Sequence, residues 1–329
     1  MLQQATDPQQ NPVALAGADR APEDAPLCDD LDELAQADRQ GFILPPHVPK
    51  DDFLADVNAT LEWAAEVRGE LGCAGRVEAL GGTFTSGQLV PSDVLEGCFE
   101  PVARLYGINP LWVPAFFADR YLPWYIGGAT FWDPSNGPLR VCLVLRSAFR
   151  LRERWLIYGR SEILSHEACH VARSMIAQQV FEESLAYALS GSSLRRAAGG
   201  VFRGRWESPS LMVASVVLMA GAALQLAGVA PWVTLAAAAP LVGTAGGLTA
   251  RGVATARKLA AARRFLAPVF GDRTMAVLFR CTDAEIASLA SAASDPHEWV
   301  AGRGDDLRWL LIGRRFGSPS GDEEEPAGQ

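Results

Sequence analysis

The sequence predicts an α+β protein: a mainly helical domain with a small sheet, joined to a two-helix membrane hairpin. Three observations predict it. Apolar residues recur at helical spacing through much of the chain, one short central block reads as strand, turn and strand, and residues 208–250 carry no charged side chain. At 329 residues the chain is long enough for a sizeable core. Its 49% hydrophobic and 20% charged residues exclude a wholly disordered polypeptide. A net charge of -9 argues against polyanion binding, so no nucleic-acid partner is expected. Lysine occurs only at Lys50 and Lys258 among 29 basic residues, an arginine bias that points to a bacterial source.

In chain order, residues 1–26 are rich in Gln, Ala, Pro and Asp without apolar periodicity and are expected to be disordered. They lack a basic stretch followed by an apolar one, so no cleaved signal peptide is expected. Residues 27–125 form a mainly helical region. Leu54, Val57, Leu61, Ala64 and Ala65 fall on one helical face. Pro91-Ser92 opens a second helix through Val94, Leu95, Phe99, Val102 and Leu105. The aromatic-dense stretch 109–126 is expected to be core under a loop, with a pocket wall as the alternative. Ala129–Trp132, the turn sequence Asp133-Pro134-Ser135-Asn136-Gly137 and Leu139–Leu145 predict two strands, with a third at Trp155–Tyr158. Ser161 can cap the helix that follows. The six cysteines are scattered without a Cys-x-x-Cys pair, and free thiols in a reducing compartment are expected.

The region 126–207 carries the chemistry. In His166-Glu167-Ala168-Cys169-His170 the two histidines lie one helical turn apart on one face, able to chelate a single cation. Glu167 flanks that face, where it can hold a water and act as general base. A catalytic zinc needs three protein ligands and an open position. A continuation of the motif with Gly at 173 and His at 176 is ruled out by Arg173 and Ile176. A carboxylate on a second helix is the remaining source, in Phe181-Glu182-Glu183-Ser184-Leu185-Ala186-Tyr187. If the chain reverses near 176–178, Glu183 faces His170, whereas Glu182 points about 100° away. Glu183 is therefore favoured over Glu182. Tyr187, one turn further, can reach a developing oxyanion or can be core. Glu162, one turn before His166, is either a second-neighbour support for that ring or an N-terminal helix charge. Cys169 reads as a small buried residue.

With these residues in place the segment resembles the gluzincin metallopeptidases, in which His-Glu-x-x-His is completed by Glu in a Glu-x-x-Ala context, here Glu183-Ser184-Leu185-Ala186. Membrane-bound gluzincins pair such a site with transmembrane helices. The resemblance covers about residues 125–190. It implies a zincin-like fold, a Zn2+ cofactor on His166, His170 and Glu183, Glu167 as base, and a peptide or protein substrate docking along the preceding strands. Two features depart from that pattern: Tyr187 stands where Asp is usual, and the gap from His170 to Glu183 is short.

Leu211–Ala230 is long enough to span a bilayer, Pro231-Trp232 marks a turn at the interface, and Val233–Ala250 can return. A transmembrane hairpin over 208–250 is expected, with Ala239, Gly243 and Gly247 as its close-packing face. Arg195, Arg196, Arg203 and Arg205 precede it, and Arg251, Arg257, Lys258, Arg263 and Arg264 follow it. The positive-inside rule then places the metal helix and the helical region 251–317 on the cytoplasmic face of a bacterial inner membrane. Thr282-Asp283-Ala284-Glu285 reads as a capping box. Residues 318–329 form an acidic tail expected to be disordered. The functional expectation is a membrane-anchored zinc metallopeptidase. The alternative is a non-catalytic, membrane-tethered scaffold that keeps the helix pair.

Overall fold

A computed structural model describes residues 28–133, 137–176, 178–204 and 206–317. Segment 1–26, the tail 318–329 and the centre of the predicted turn, Pro134–Asn136, lie outside the described residues.

The architecture is mainly helical α+β. Helices α1 (Cys28–Arg39) and α2 (Lys50–Ala74) lead into a hairpin of β1 (Arg76–Ala79) and β2 (Gly82–Thr85), followed by α3 (Ser92–Tyr106). The β1–β2 hairpin was not expected in a helical region. It turns at Leu80 and Gly81, both at positive φ, so only the second turn residue is of a type that signals the turn. The predicted α3 face packs inward through Leu95, Phe99 and Val102. Of the predicted α2 face, Val57 and Ala64 are buried, Leu54 and Leu61 are half-buried and Ala65 is exposed, the buried stripe running through Phe53 and Thr60 instead.

A three-stranded sheet follows, of β3 (Ala115–Phe117), β4 (Gly128–Trp132) and β5 (Val141–Leu145) in the order β3-β5-β4. β5 is the middle strand, parallel to β3 and antiparallel to β4, and is buried throughout. β3 comes out of the aromatic stretch read as loop-covered core: Trp112, Phe116 and Phe117 are buried, and Trp112 stacks on Phe42. The predicted third strand splits into β6 (Arg154–Trp155) and β7 (Tyr158–Gly159), with Leu156 and Ile157 as the turn between them. An apolar pair in a turn carries no strand-breaking signal, which is why the run read as one strand.

The remainder is helical: α4 (Arg160–Arg173), α5 (Glu182–Tyr187), α6 (Ser193–Ala198), α7 (Glu207–Leu226), α8 (Trp232–Phe270), α9 (Thr274–Arg280), α10 (Asp283–Ser291), α11 (Pro296–Ala301) and α12 (Leu307–Phe316). One hydrophobic core draws on α1 through α5 and β5, and also on Ala262, Leu266 and Phe270 of α8 and on α9, α10 and α12. The C-terminal helices therefore pack on the same core as the metal-motif helix. Asp38 on α1 clamps this closure: Arg280 donates to it at 2.7 Å and Arg315 also pairs with it, all three side chains being almost fully buried.

α7 and α8 are both long and apolar enough to cross a membrane. α7 and the first half of α8 pack on each other and are mostly bare on their outer faces, with Val213, Val216, Met219, Leu235 and Val242 exposed, whereas the second half of α8 packs on α9 and α10. The hairpin is thus not a buried core of the domain, and its weak support for membrane association comes from this exposure and length. The close approach between its helices is at Gly221, where a side chain would meet Ala237 Cβ at 2.5 Å. Gly243 and Gly247, expected to make it, have nothing within 4 Å of such a position. α8 runs without a break through the 250/251 boundary that hydropathy suggested. At the base of the pair, Arg251 and Glu207 form an ion pair of 2.6 Å.

Candidate metal centre

α4 starts at Gly159 without a side-chain cap, and Ser161 lies inside its first turn instead of capping it. One face of α4 is apolar and fully buried, through Leu164, Ala168, Cys169, Val171 and Ala172. Ser165 fixes that face against α3 by donating to the Cys98 carbonyl at 2.6 Å. A second anchor is β4, which approaches so closely that a side chain at Gly128 would meet Ile163 at 2.5 Å. The face left between these contacts carries His166 and His170.

After α4 a short 3-10 turn, Ser174–Ile176, ends the helix and the chain reverses into α5. His166 Nε2 and His170 Nε2 are 3.1 Å apart, and Glu183 places Oε2 3.5 Å from His166 Nε2 and Oε1 3.5 Å from His170 Nε2. Ligand atoms on tetrahedral zinc, bonded at 2.0–2.2 Å, are separated by about 3.3 Å. One donor atom from each of these residues falls within 4.8 Å of the others, and the set fits a small cation. Glu182 is turned elsewhere: its carboxylate meets His170 Nδ1 at 2.6 Å, on the ring edge opposite Glu183. His170 is thus held between two acids that follow one another in sequence.

The electrostatics without a cation show how crowded this charge is. Burial, with His170 adding to it, pushes the His166 pKa down to about 3. Burial also lowers His170, but its hydrogen bond to Glu182 and the charges of Glu167, Glu182 and Glu183 outweigh that and raise it to about 9. Glu183 is raised to about 7, first by burial and then by Glu167 and Glu182, with His170 opposing. Three carboxylates around two imidazoles leave an excess of negative charge that a divalent ion would offset.

Glu167 is almost fully buried and accepts a hydrogen bond from Thr130 Oγ1 of β4 at 2.7 Å. Tyr187 sets its ring edge-on to His166, with centroids 4.5 Å apart, and burial pushes its hydroxyl up to about 12. Glu162 is engaged by Arg195 and Ser190, so its place is in that network. A cavity of about 470 Å³ opens beside the motif, lined by His166, Glu167, Tyr187, Gly128, Ile157 and Phe202 among others.

The turn that carries the two acids is held from afar. Asp283, at the start of α10, accepts from the backbone N–H groups of Gln179, Val180 and Phe181 at 3.1, 2.7 and 3.3 Å. The Thr282–Glu285 capping box is present, and Arg308 and Trp309 both donate to Glu285. Arg173, where a longer motif would have Gly, is buried and donates to the carbonyl oxygen of Phe279.

His166, Glu167, His170, Glu183 and Tyr187, all singled out in the sequence, are brought together. Thr130, the ring-holding place of Glu182 and the reach of Asp283 were not anticipated. Thr130 sits in a strand that the sequence did predict, but its position opposite Glu167 follows from how β4 lies against α4. The chain matches no protein-family model, no curated protein and no solved structure.

Proposed function

We propose that the protein is a membrane-anchored zinc metallopeptidase that hydrolyses peptide bonds, with its site on the cytoplasmic face. The observation that carries this reading is the convergence of His166, His170 and Glu183 donor atoms beside a buried Glu167 in a cavity. A zinc ion held there supplies Lewis acidity, which makes water a competent nucleophile near neutral pH. His166 and His170 act as neutral imidazoles through Nε2, and Glu182 on Nδ1 fixes the His170 ring and its tautomer. Thr130 occupies Oε2 of Glu167 and sets the plane of the carboxylate. Oε1 then takes the proton from the attacking water and hands it to the leaving amine. Tyr187, kept protonated by its burial, donates to the oxyanion that develops on the substrate carbonyl. β4 is the outer strand beside the helix and offers its free edge to an extended peptide.

The purified full chain is expected to hold one zinc, and Glu183→Ala to lose it. Glu167→Gln is expected to keep the metal while turnover of an unfolded protein substrate falls by about 10²–10⁴-fold. Unchanged turnover in a zinc-loaded Glu167→Gln protein would falsify the mechanism. A wild type that binds zinc tightly yet cleaves nothing favours the membrane-tethered scaffold instead.

A further inference from the structure

The cavity beside Glu167 is walled in part by Ser208, in the first turn of α7. α7 has 20 residues. At 1.5 Å per residue that is about 30 Å, the thickness of a bilayer's hydrocarbon layer, so a spanning α7 has no slack. Ser208 is then fixed near the membrane surface, and the cavity with it.

The rim of the cavity has the composition of such a surface. Ile157 and Phe202 line it and are exposed, as is Tyr125. Next in sequence to these lining residues are Trp124, which packs edge-on against Tyr125, and Leu156, with relative exposures of 74% and 68%, and Trp206 stands exposed directly before α7. Leu156 stands at φ +52° in the two-residue turn between β6 and β7. Turns that project into water use Gly, Asn or Asp at such positions, because those residues tolerate the conformation and are hydrated. Here the turn presents Leu and Ile outward. Contiguous exposed apolar side chains of this kind mark a contact surface, and tryptophans and tyrosines gather at headgroup level. Continuity with the first turn of α7 identifies what this surface touches.

We propose that the rim formed by Trp124, Tyr125, Leu156, Ile157 and Phe202 is immersed in the headgroup layer of the bilayer that α7 and α8 enter. The partner is the lipid surface itself. The cavity then opens within the interface instead of into bulk water, and its occupant arrives along the membrane. This rests on the hairpin crossing a membrane and, for the nature of the occupant, on the peptidase reading above. The rim's depth can be measured without zinc or turnover, so the two can fail separately.

The test uses the full chain in lipid nanodiscs, with Cys28→Ser and Cys73→Ser to leave only buried thiols among the described cysteines. A nitroxide is placed by Leu156→Cys or Trp124→Cys, with Met219→Cys as the reference within α7 and Glu33→Cys as the reference in water. Collisions with oxygen and with a water-soluble nickel complex are then compared. Lipid contact at the rim predicts nickel accessibility several-fold below that at position 33, with oxygen accessibility raised. Nickel accessibility equal to that at position 33 overturns the proposal. Low accessibility to both reagents also overturns it, in favour of a protein partner or a second copy on this face. A water-exposed label at position 219 overturns it by removing the membrane.

Discussion

At His170 the two ring nitrogens meet different acids: Nδ1 lies 2.6 Å from Glu182, and Nε2 lies 3.5 Å from Glu183. Helical phase was enough to prefer Glu183 as the residue facing the histidines, since adjacent positions on a helix differ by about 100°. It was not enough to find Glu182 a place. That required knowing that the His170 ring projects into the gap between α4 and α5, so that acids on either side can reach its two edges. The two substitutions should therefore separate. Glu182→Gln is expected to keep zinc stoichiometry but to weaken affinity by about 10–100-fold, as second-neighbour carboxylates do. Competition with a graded series of chelators measures this, and a Glu182→Gln protein that loses all metal would make Glu182 the direct ligand. Thr130 was invisible for a related reason. Its strand was legible from alternation and turn signals, but the side chain opposite Glu167 depends on how β4 sits against α4, and the close approach at Gly128 sets that distance.

The short helix α5 owes its position to α10. Three successive backbone N–H groups, from residues 179 to 181, converge on the Asp283 carboxylate just before Glu182 and Glu183. Two of the three hydrogen bonds are solvent-exposed, so on removal of the carboxylate water can take its place there and the main loss is the ordering of the turn. Asp283→Ala is therefore expected to lower thermal stability modestly. It should also weaken zinc binding, whereas Ser288→Ala, elsewhere on α10, should leave both unchanged. Parallel melting curves and zinc titrations check this; a lower melting temperature with intact affinity would confine Asp283 to a structural role. The capping box around it was plain in the sequence, through Thr282 and Glu285. What it served was not, because about a hundred residues separate Asp283 from the turn it holds and nothing local records the pairing. The β6–β7 turn shows the opposite failure: Leu156 and Ile157 look like strand, and only the backbone reveals a turn.

Across the whole molecule, the helical character, the small sheet and the apolar hairpin were legible from periodicity and charge, because those patterns are local. The single core joining α1–α5 to α9, α10 and α12 was not, since it depends on long-range closure around Asp38, Arg280 and Arg315. The bare surface of α7 and α8 leads to a prediction at this scale. The full chain is expected to stay with membranes through an alkaline carbonate wash, and Val216→Arg with Val217→Arg to release it, each arginine costing about 2.5–3.5 kcal/mol at the centre of a spanning helix. A wild-type chain recovered in the wash would show that the hairpin does not span. α8 carries a mechanical consequence as well. Its 39 residues form one continuous helix, with Pro240 in the hairpin half and Pro268 near the end, that leaves the hairpin and ends inside the core at Ala262, Leu266 and Phe270. With the hairpin in a bilayer, as proposed, such a helix would act as a lever about the bilayer surface. A tilt of about 10° in its upper half sweeps the lower end, some 30 Å away, through about 5 Å. In a spanning hairpin, bilayer thickness and lateral pressure, which bear on such tilts, would thereby be linked mechanically to the packing beneath α10 and the turn it grips.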